Sequence, residues 1–285
     1  YFYYKIDDLK KTNPSPISKN ECTEIFKLGD MWQGRDEYLW LCADVKLPNE
    51  WKGKKIVGVF DFGTTGPGTN SGFESLLYIK GKPYQGVDSN HKEVFFLSDI
   101  AGKKLELIFR LWSGLEGGGR PKKQQHFFKT AFLSWLDANT DDLYFTAKAA
   151  LYTVKALEDY RTERINLVKI LDKTFKMIDW SVYDIDGFYN SVKEANKYLQ
   201  WQIDKLKKHS DITITCIGHT HIDVAWLWRL KHTREKCIRS FSTVLHLMEQ
   251  YPEYIFFQNQ PQLYEFIKED SPQIYNKIIQ KIKEG

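Results

Sequence analysis

No run of apolar side chains in this chain approaches the roughly 20 residues that a membrane-crossing helix requires. No membrane partner is therefore expected. No signal peptide stands at the start, which opens on Tyr1 rather than Met. A dominant charge sign is missing too: 41 basic residues against 37 acidic leave a net charge of +4. The densest basic stretch, Gly119-Arg120-Pro121-Lys122-Lys123, is short. Nucleic acid is not an expected partner, because it asks for a concentrated positive face. Cysteine is sparse, with Cys22, Cys42, Cys216 and Cys237 and no CxxC pair. Cys42 and Cys216 lie in apolar, strand-like runs where a thiol behaves as a small hydrophobe, so a reduced, cytoplasmic setting is expected. Phosphate loops are absent as well. Gly63-Thr64-Thr65-Gly66-Pro67-Gly68 and Gly114-Leu115-Glu116-Gly117-Gly118-Gly119 lack a Lys-Ser/Thr ending and open no helix, so both read as loops of a β-sandwich.

What the chain has is apolar and aromatic mass. Hydrophobic residues make up 42% of the 285 positions and aromatics 15%, enough to bury several cores and to exclude global disorder. Three segments with different periods follow one another. Up to about residue 140 the period is two. Leu39, Leu41, Ala43, Val45 and Leu47 share one strand face, and Leu105, Leu107, Phe109 and Leu111 repeat the pattern. Ile56 to Phe62, Leu76 to Ile79 and Val94 to Leu97 are short β-rich runs, and Ile79-Lys80-Gly81-Lys82-Pro83 is a turn signal. The expectation for residues 1–140 is an antiparallel β-sandwich.

Residues 141–209 change to helical spacing. Leu143, Ala147, Ala150, Val154 and Leu157 form one stripe, and Ile165, Val168, Leu171, Phe175 and Ile178 a second. Asp186 caps a third helix carrying Phe188, Val192, Ala195, Leu199, Ile203 and Leu206. This segment reads as a helical connector without visible chemistry. From residue 210 the order becomes strand (Ile212 to Ile217), helix (about 229–250), strand (Tyr254 to Phe257) and two further helices (from Leu263 and Ile274). That alternation predicts the start of an α/β, that is (β/α), catalytic domain. A parallel sheet needs more than two strands, so residues 210–285 are expected to be a truncated domain and the whole chain multidomain.

Chemistry concentrates in Gly218-His219-Thr220-His221-Ile222-Asp223. Alternate residues of extended chain point to one side, and the carboxyl ends of strands are where α/β sheets place their sites. Imidazole and carboxylate together suit zinc and neighbouring divalent metals. Crowding makes two ligands from this run easier than three, so further ligands are expected elsewhere. His91, His126, His209, His232 and His246 are scattered and read as surface or core residues. Asp211, Glu235, Glu249, Glu253, Glu265, Glu269, Asp270 and Glu284 read as caps and solvated helix faces.

At these residues the chain resembles a known family. His219-Thr220-His221-Ile222-Asp223-Val224-Ala225-Trp226 is similar to the HxHxDxxW signature of glycoside hydrolase family 38, the retaining α-mannosidases. Leu227-Trp228, Tyr251-Pro252-Glu253-Tyr254 and Gln260-Pro261-Gln262-Leu263-Tyr264 resemble its cytosolic and bacterial branch. Glu74 to Gly81 and Asn90-His91 resemble that branch's N-terminal β-domain. Asn259 departs from the small residue expected there. The resemblance implies metal ligands at His221 and Asp223, His219 in support behind them, and a sugar-facing ring at Trp226. It implies a divalent metal, zinc first with cobalt or manganese as alternatives, gripping mannose hydroxyls in a mannosyl oligosaccharide. It also implies a nucleophile and an acid/base, which match nothing before Gly285 and are expected beyond it. A homo-oligomer is left open.

Two other functions fit parts of the sequence. A histidine pair after a first strand also opens amidohydrolase-like barrels, although those do not need Asp223 or Trp226. Alternatively, the β-domain is a non-catalytic carbohydrate-binding module presenting Trp32, Trp40, Trp51 and Trp112 to sugar.

Overall fold

The computed structural model describes residues 1–63, 73–96, 100–116, 118–181, 183–206 and 212–285. Leu97, His209, Asp211, Gly117 and residues 64–68 of the first glycine-rich stretch lie outside the described residues. The chain forms two compact units, residues 1–134 with 215–285 and residues 135–214.

Among the described residues the first unit has eleven strands: β1 (Phe2–Ile6), β2 (Glu24–Phe26), β3 (Met31–Gly34), β4 (Tyr38–Lys46), β5 (Lys55–Asp61), β6 (Glu74–Ile79), β7 (Lys82–Asp88), β8 (Glu93–Phe96), β9 (Lys104–Trp112), β10 (Gln124–Phe127) and β11 (Thr130–Leu136). One sheet runs β2-β1-β4-β9-β6-β7, a second β11-β5-β8, and β10 pairs with β3. The long β4–β9 ladder is antiparallel, with Leu41 opposite Phe109 and Ala43 opposite Leu107. Leu39, Leu41, Ala43 and Leu47 join Leu105, Leu107, Phe109 and Leu111 in one core with Ile56, Phe60, Val94 and Phe96 of the smaller sheet. The two-residue alternation thus marks the sandwich interior. Between β6 and β7 the turn residues Lys80 and Gly81 have φ of 50° and 71°. That is the left-handed pair a two-residue hairpin needs, and glycine adopts it without steric cost.

The second unit holds α1 (Ala138–Ala156), α2 (Thr162–Lys176) and α3 (Ile185–Asp204). Leu143, Ala147, Ala150 and Val154 pack with Val192, Ala195 and Leu199, as their spacing predicts. The stripe of α2 is rotated from the expected one. Leu167, Ile170, Leu171 and Thr174 are its buried residues, while Ile165, Val168 and Phe175 are exposed. Two helices flank α2, and the face directed at both is the one carrying Leu167 and Ile170. The cap of α3 is Asp184, which accepts from the Gly187 N–H, and Asp186 falls in the first turn.

Three helices complete the first unit: α4 (Leu230–Gln250), α5 (Pro261–Asp270) and α6 (Pro272–Glu284). Trp40, Cys42, Leu76, Tyr78 and Ile108, on the outer face of the six-stranded sheet, form one core with Ile238, Phe241, Leu245, Leu263, Phe266 and Ile274. A large apolar side chain taken fully out of water contributes about 1.5–3 kcal/mol, so this layer is a second core on the outer face of the sheet.

The helix-on-sheet layer corrects several sequence expectations. Glu235 is not solvated. It lies buried on α4, accepting from Arg110 Nη1 at 3.0 Å and from the Tyr38 hydroxyl at 2.7 Å. Arg110 also donates to Asp7 at 2.9 Å and to the Lys11 carbonyl at 2.7 Å, and stacks over the Tyr38 ring at 4.0 Å. Asp270 accepts from Asn13 at 2.9 Å and from Arg234 Nε at 2.8 Å. The expected strand Ile212 to Ile217 is not formed: Ile212, Ile214 and Ile217 are exposed. Parallel pairing is reduced to one bridge, Gly218 with Phe256. A parallel strand gains its stability from neighbours on both sides, and one bridging partner does not extend a ladder. Cys216 is accordingly exposed rather than buried, and Cys42 is bonded to Cys22 with the Cα atoms 6.2 Å apart. Asn259 is exposed, so its departure from the small residue disturbs no packing.

Replacing Arg110 by Met strands Glu235 and Asp7 as uncompensated buried carboxylates. Denaturant unfolding followed by tryptophan fluorescence should show a loss of about 3–5 kcal/mol. A second outcome concerns His232, buried on α4. Its Nδ1 accepts the Arg229 N–H at 3.0 Å, so Nε2 carries the proton facing Asp36 at 2.7 Å. Burial, reinforced by Lys231, Arg229 and Arg239 and opposed by Glu235, pushes its pKa down to about 4. The unfolded imidazole titrates near 6.5, so between those values only the unfolded chain binds the proton. Stability should fall as pH drops from about 6.5 to about 4 and then lose this dependence. His232→Gln should flatten that slope by up to one proton in urea titrations at stepped pH.

Candidate metal-binding site and its cavity

Gly218 fixes the start of the histidine motif. Its N–H donates to the Ile255 carbonyl at 2.8 Å, and its own carbonyl accepts from Phe257 at 2.9 Å. A Cβ at Gly218 would lie 2.2 Å from the Tyr254 hydroxyl oxygen, so any larger residue here must displace the Tyr254 ring. The next residues are pinned in turn. His219 Nδ1 donates to the Phe257 carbonyl at 2.9 Å, and Gln258 donates to the Thr220 carbonyl at 2.5 Å. Ile222 is buried between its polar neighbours, as extended alternation requires.

His221 and Asp223 meet. Nε2 of the first lies 3.1 Å from Oδ1 of the second, and both side chains are open to solvent. Zinc binds imidazole nitrogen and carboxylate oxygen at about 2.0–2.2 Å, and a tetrahedral shell then spaces neighbouring donors by about 3.3 Å. The pair therefore fits two adjacent positions on one ion. Among the described residues no three His, Cys, Asp or Glu side chains converge as a metal site.

After Asp223 the chain reverses through Ala225, whose φ of 64° is left-handed. Thr233, near the start of α4, holds this reversal. Its hydroxyl accepts from Ala225 N at 3.1 Å and from Trp228 Nε1 at 3.0 Å, and donates to the Asp223 carbonyl at 3.3 Å. Trp226 is 65% exposed and sits edge-on to Trp228 with ring centroids 5.6 Å apart. The β-domain clamps the same corner. Asp36 pairs with Arg229, faces His232, and accepts from Trp112 Nε1 at 2.9 Å. Nothing in the sequence singles out Thr233 or Asp36, because neither belongs to a spaced motif and their partners are distant along the chain.

A cavity of about 610 Å³ opens beside the motif, within the size range of ligand pockets. His219, His221, Trp226 and Trp228 line it, and so do Glu74, Asp88, Asn90, His91, Trp112 and Leu115 from the β-domain. Arg239 and Lys236 pair with Glu74, and their charges outweigh burial to hold its carboxyl below the ordinary range. Asp88 is likewise held low against burial by His91 and by backbone N–H groups, while its hydrogen bond raises the His91 pKa. The histidines read as surface or core divide. His126 and His232 are buried, and His91 is an exposed residue of the cavity wall. Trp32, Trp40 and Trp112 are buried and Trp51 is half-buried against the sandwich core, so these rings do not form the open platform that a carbohydrate-binding module would present.

The Glycosyl hydrolases family 38 N-terminal domain matches residues 211–285, and the Alpha-mannosidase, jelly roll domain matches residues 5–117. Alpha-mannosidase G of Dictyostelium discoideum is 25% identical over 274 residues, covering 91% of this chain and 24% of that protein. Alpha-mannosidase 2C1 of Homo sapiens is 26% identical over 252 residues, covering 84% of this chain and 23% of that protein. The alpha-mannosidase of Saccharomyces cerevisiae is 45% identical over 63 residues, 22% of this chain and 6% of that one. The chain thus spans about a quarter of the length of the first two relatives. Likeness to solved structures is slight; a β-glucuronidase of Ruminococcus gnavus, 17% identical, covers 29% of this chain and 13% of its own at a TM-score of 0.22. The HxHxDxxW run lies inside the match to the family 38 N-terminal domain and most of the β-sandwich lies inside the jelly roll match, so both segments of this chain are similar to parts of α-mannosidases.

Proposed function

We propose that this chain supplies the jelly roll and part of the metal site of a retaining α-mannosidase acting on mannosyl oligosaccharides. The observation that carries the reading is the His221–Asp223 pair, two donors 3.1 Å apart on extended chain, followed by the exposed ring of Trp226. His221 and Asp223 would hold a divalent metal, zinc before cobalt or manganese, and a bound metal there supplies Lewis-acid grip on mannose hydroxyls. His219, tied by Nδ1 to the Phe257 carbonyl, keeps the extended chain in place behind them. Trp226 offers a flat apolar face to the sugar ring, and Thr233 keeps that ring and Asp223 in fixed relation. The two carboxylates that retention requires are assigned to the remainder of the catalytic domain, in continuity with the (β/α) start proposed for residues 210–285. The amidohydrolase reading is not favoured, since the match of residues 211–285 is to family 38.

In the full-length protein, chelation should abolish hydrolysis of aryl α-mannosides and zinc should restore it. His221→Ala and Asp223→Ala should each lose stoichiometric metal by elemental analysis. His219→Ala should keep the site but weaken it about 10–100-fold in competition titrations. Hydrolysis of cyclic amides but not of mannosides would defeat the reading.

For the compartment, the proposed setting is the cytoplasm, with Cys216 and Cys237 free and the Cys22–Cys42 bond as the observation against it. Among the described residues no helix is long and apolar enough to cross a membrane. Burial raises the Cys237 thiol to about 12, so Cys216 should be the one fast-reacting thiol of the native protein. Thiol titration after denaturation without reductant should give four groups if the cytoplasm keeps the pair reduced, and two if the bond persists.

A further inference from the structure

The β-domain wall of the cavity carries a polar device that the metal motif does not use. At the end of β7, the Asp88 carboxylate accepts the backbone N–H groups of Asn90 and His91, both at 2.8 Å. The same carboxylate faces His91 Nδ1 at 3.0 and 3.1 Å through its two oxygens. The imidazole is therefore locked by its own turn, with Nδ1–H directed at Asp88, and its remaining polar atom is Nε2. The His91 side chain is 66% exposed yet lines the cavity that His219, His221 and Trp226 also line.

We infer that His91 is a glycan-binding residue of this cavity, contacting a hydroxyl of the sugars on the leaving-group side of the cleaved bond. The inference rests on the mannosidase reading. Under that reading His221, Asp223 and Trp226 take the terminal mannose, so a contact from the separate β7–β8 loop falls on the rest of the chain of sugars. The ligand chemistry follows from charge. The Asp88 carboxylate beside the ring disfavours an anionic ligand and leaves a neutral hydroxyl as the group that Nε2 suits. A hydroxyl also accepts from Nε2–H when the ring is charged and donates to Nε2 when it is neutral. Pre-ordering by Asp88 means little side-chain freedom is lost on binding. His91 is thus a specificity residue, and its loss should depend on what leaves.

The test compares two substrates in the full-length protein. For His91→Ala, kcat/KM on a mannotriose should fall about tenfold through KM, the scale of one charge-assisted hydrogen bond. On 4-nitrophenyl α-mannoside, whose leaving group is no sugar, it should stay within about twofold. His91→Gln, which keeps a polar group at similar reach, should recover part of the mannotriose loss. Equal losses on both substrates, or none on either, would overturn the inference. If the wild type hydrolyses neither substrate, the mannosidase reading fails and His91 is then judged by calorimetric titration with mannotriose. Binding weakened about tenfold in His91→Ala supports the contact; unchanged or absent binding in the wild type removes it.

Discussion

The β4–β9 ladder is buried on both faces, and the rest of the first unit depends on that double burial. Strand β4 shows it most plainly: Leu39, Leu41 and Ala43 enter the sandwich core, while Trp40 and Cys42 enter the layer with α4, α5 and α6. A two-faced strand left half covered would hold large apolar side chains against water, at about 25 cal/mol for each Å² left exposed. Helix α4 is the cover. Because α4 begins only a few residues after Asp223, the cover and the histidine motif are one piece of chain, and packing the helix positions the motif.

Electrostatics fixes where that helix lands. Arg110 stands on the outer face of the sheet, surrounded by Asp7, Glu235 and the Tyr38 ring. Ion pairs of this kind add little net stability over an apolar core of the same shape. They do penalise any other register of α4, since each displacement strands a buried charge. Asp36 repeats the logic at the first turn of α4, where Arg229, His232 and Trp112 converge on one carboxylate. The motif is thereby held between the Gly218–Phe256 bridge on one side and the Asp36 corner on the other. Thr233 closes the reversal between them with a single hydroxyl.

Several of these features were legible in the chain before folding and several were not. The sandwich face of β4 and β9, the Lys80-Gly81 hairpin and the stripe of α1 came from periodicity and from a left-handed turn, which are local properties. The helix-facing side of β4, Trp40 and Cys42, was not read from the sequence, because alternation marks one face of a strand and names no partner for the other. Glu235 and Asp270 looked like solvated helix residues because charge pattern on a helix does not reveal that a sheet with an arginine waits opposite. The α2 stripe was offset because two neighbouring helices, not one, decide which face is inward. Ile212 to Ile217 carries strand chemistry, yet extended chain becomes a strand only where a neighbour offers a ladder.

At the candidate site the division is the same. The residue types at 219, 221 and 223, with Trp226 three places on, are chemistry written at fixed spacing in extended chain. The backbone alone brings His221 and Asp223 to one side, which is why the sequence by itself determined that these two side chains meet. Thr233 and Asp36 act through contacts across 10 and 196 positions of chain. Their roles exist only once α4 lies on the sheet, and the tertiary structure alone decided them, because a hydrogen bond depends on where two groups are in space and not on how far apart they are in sequence.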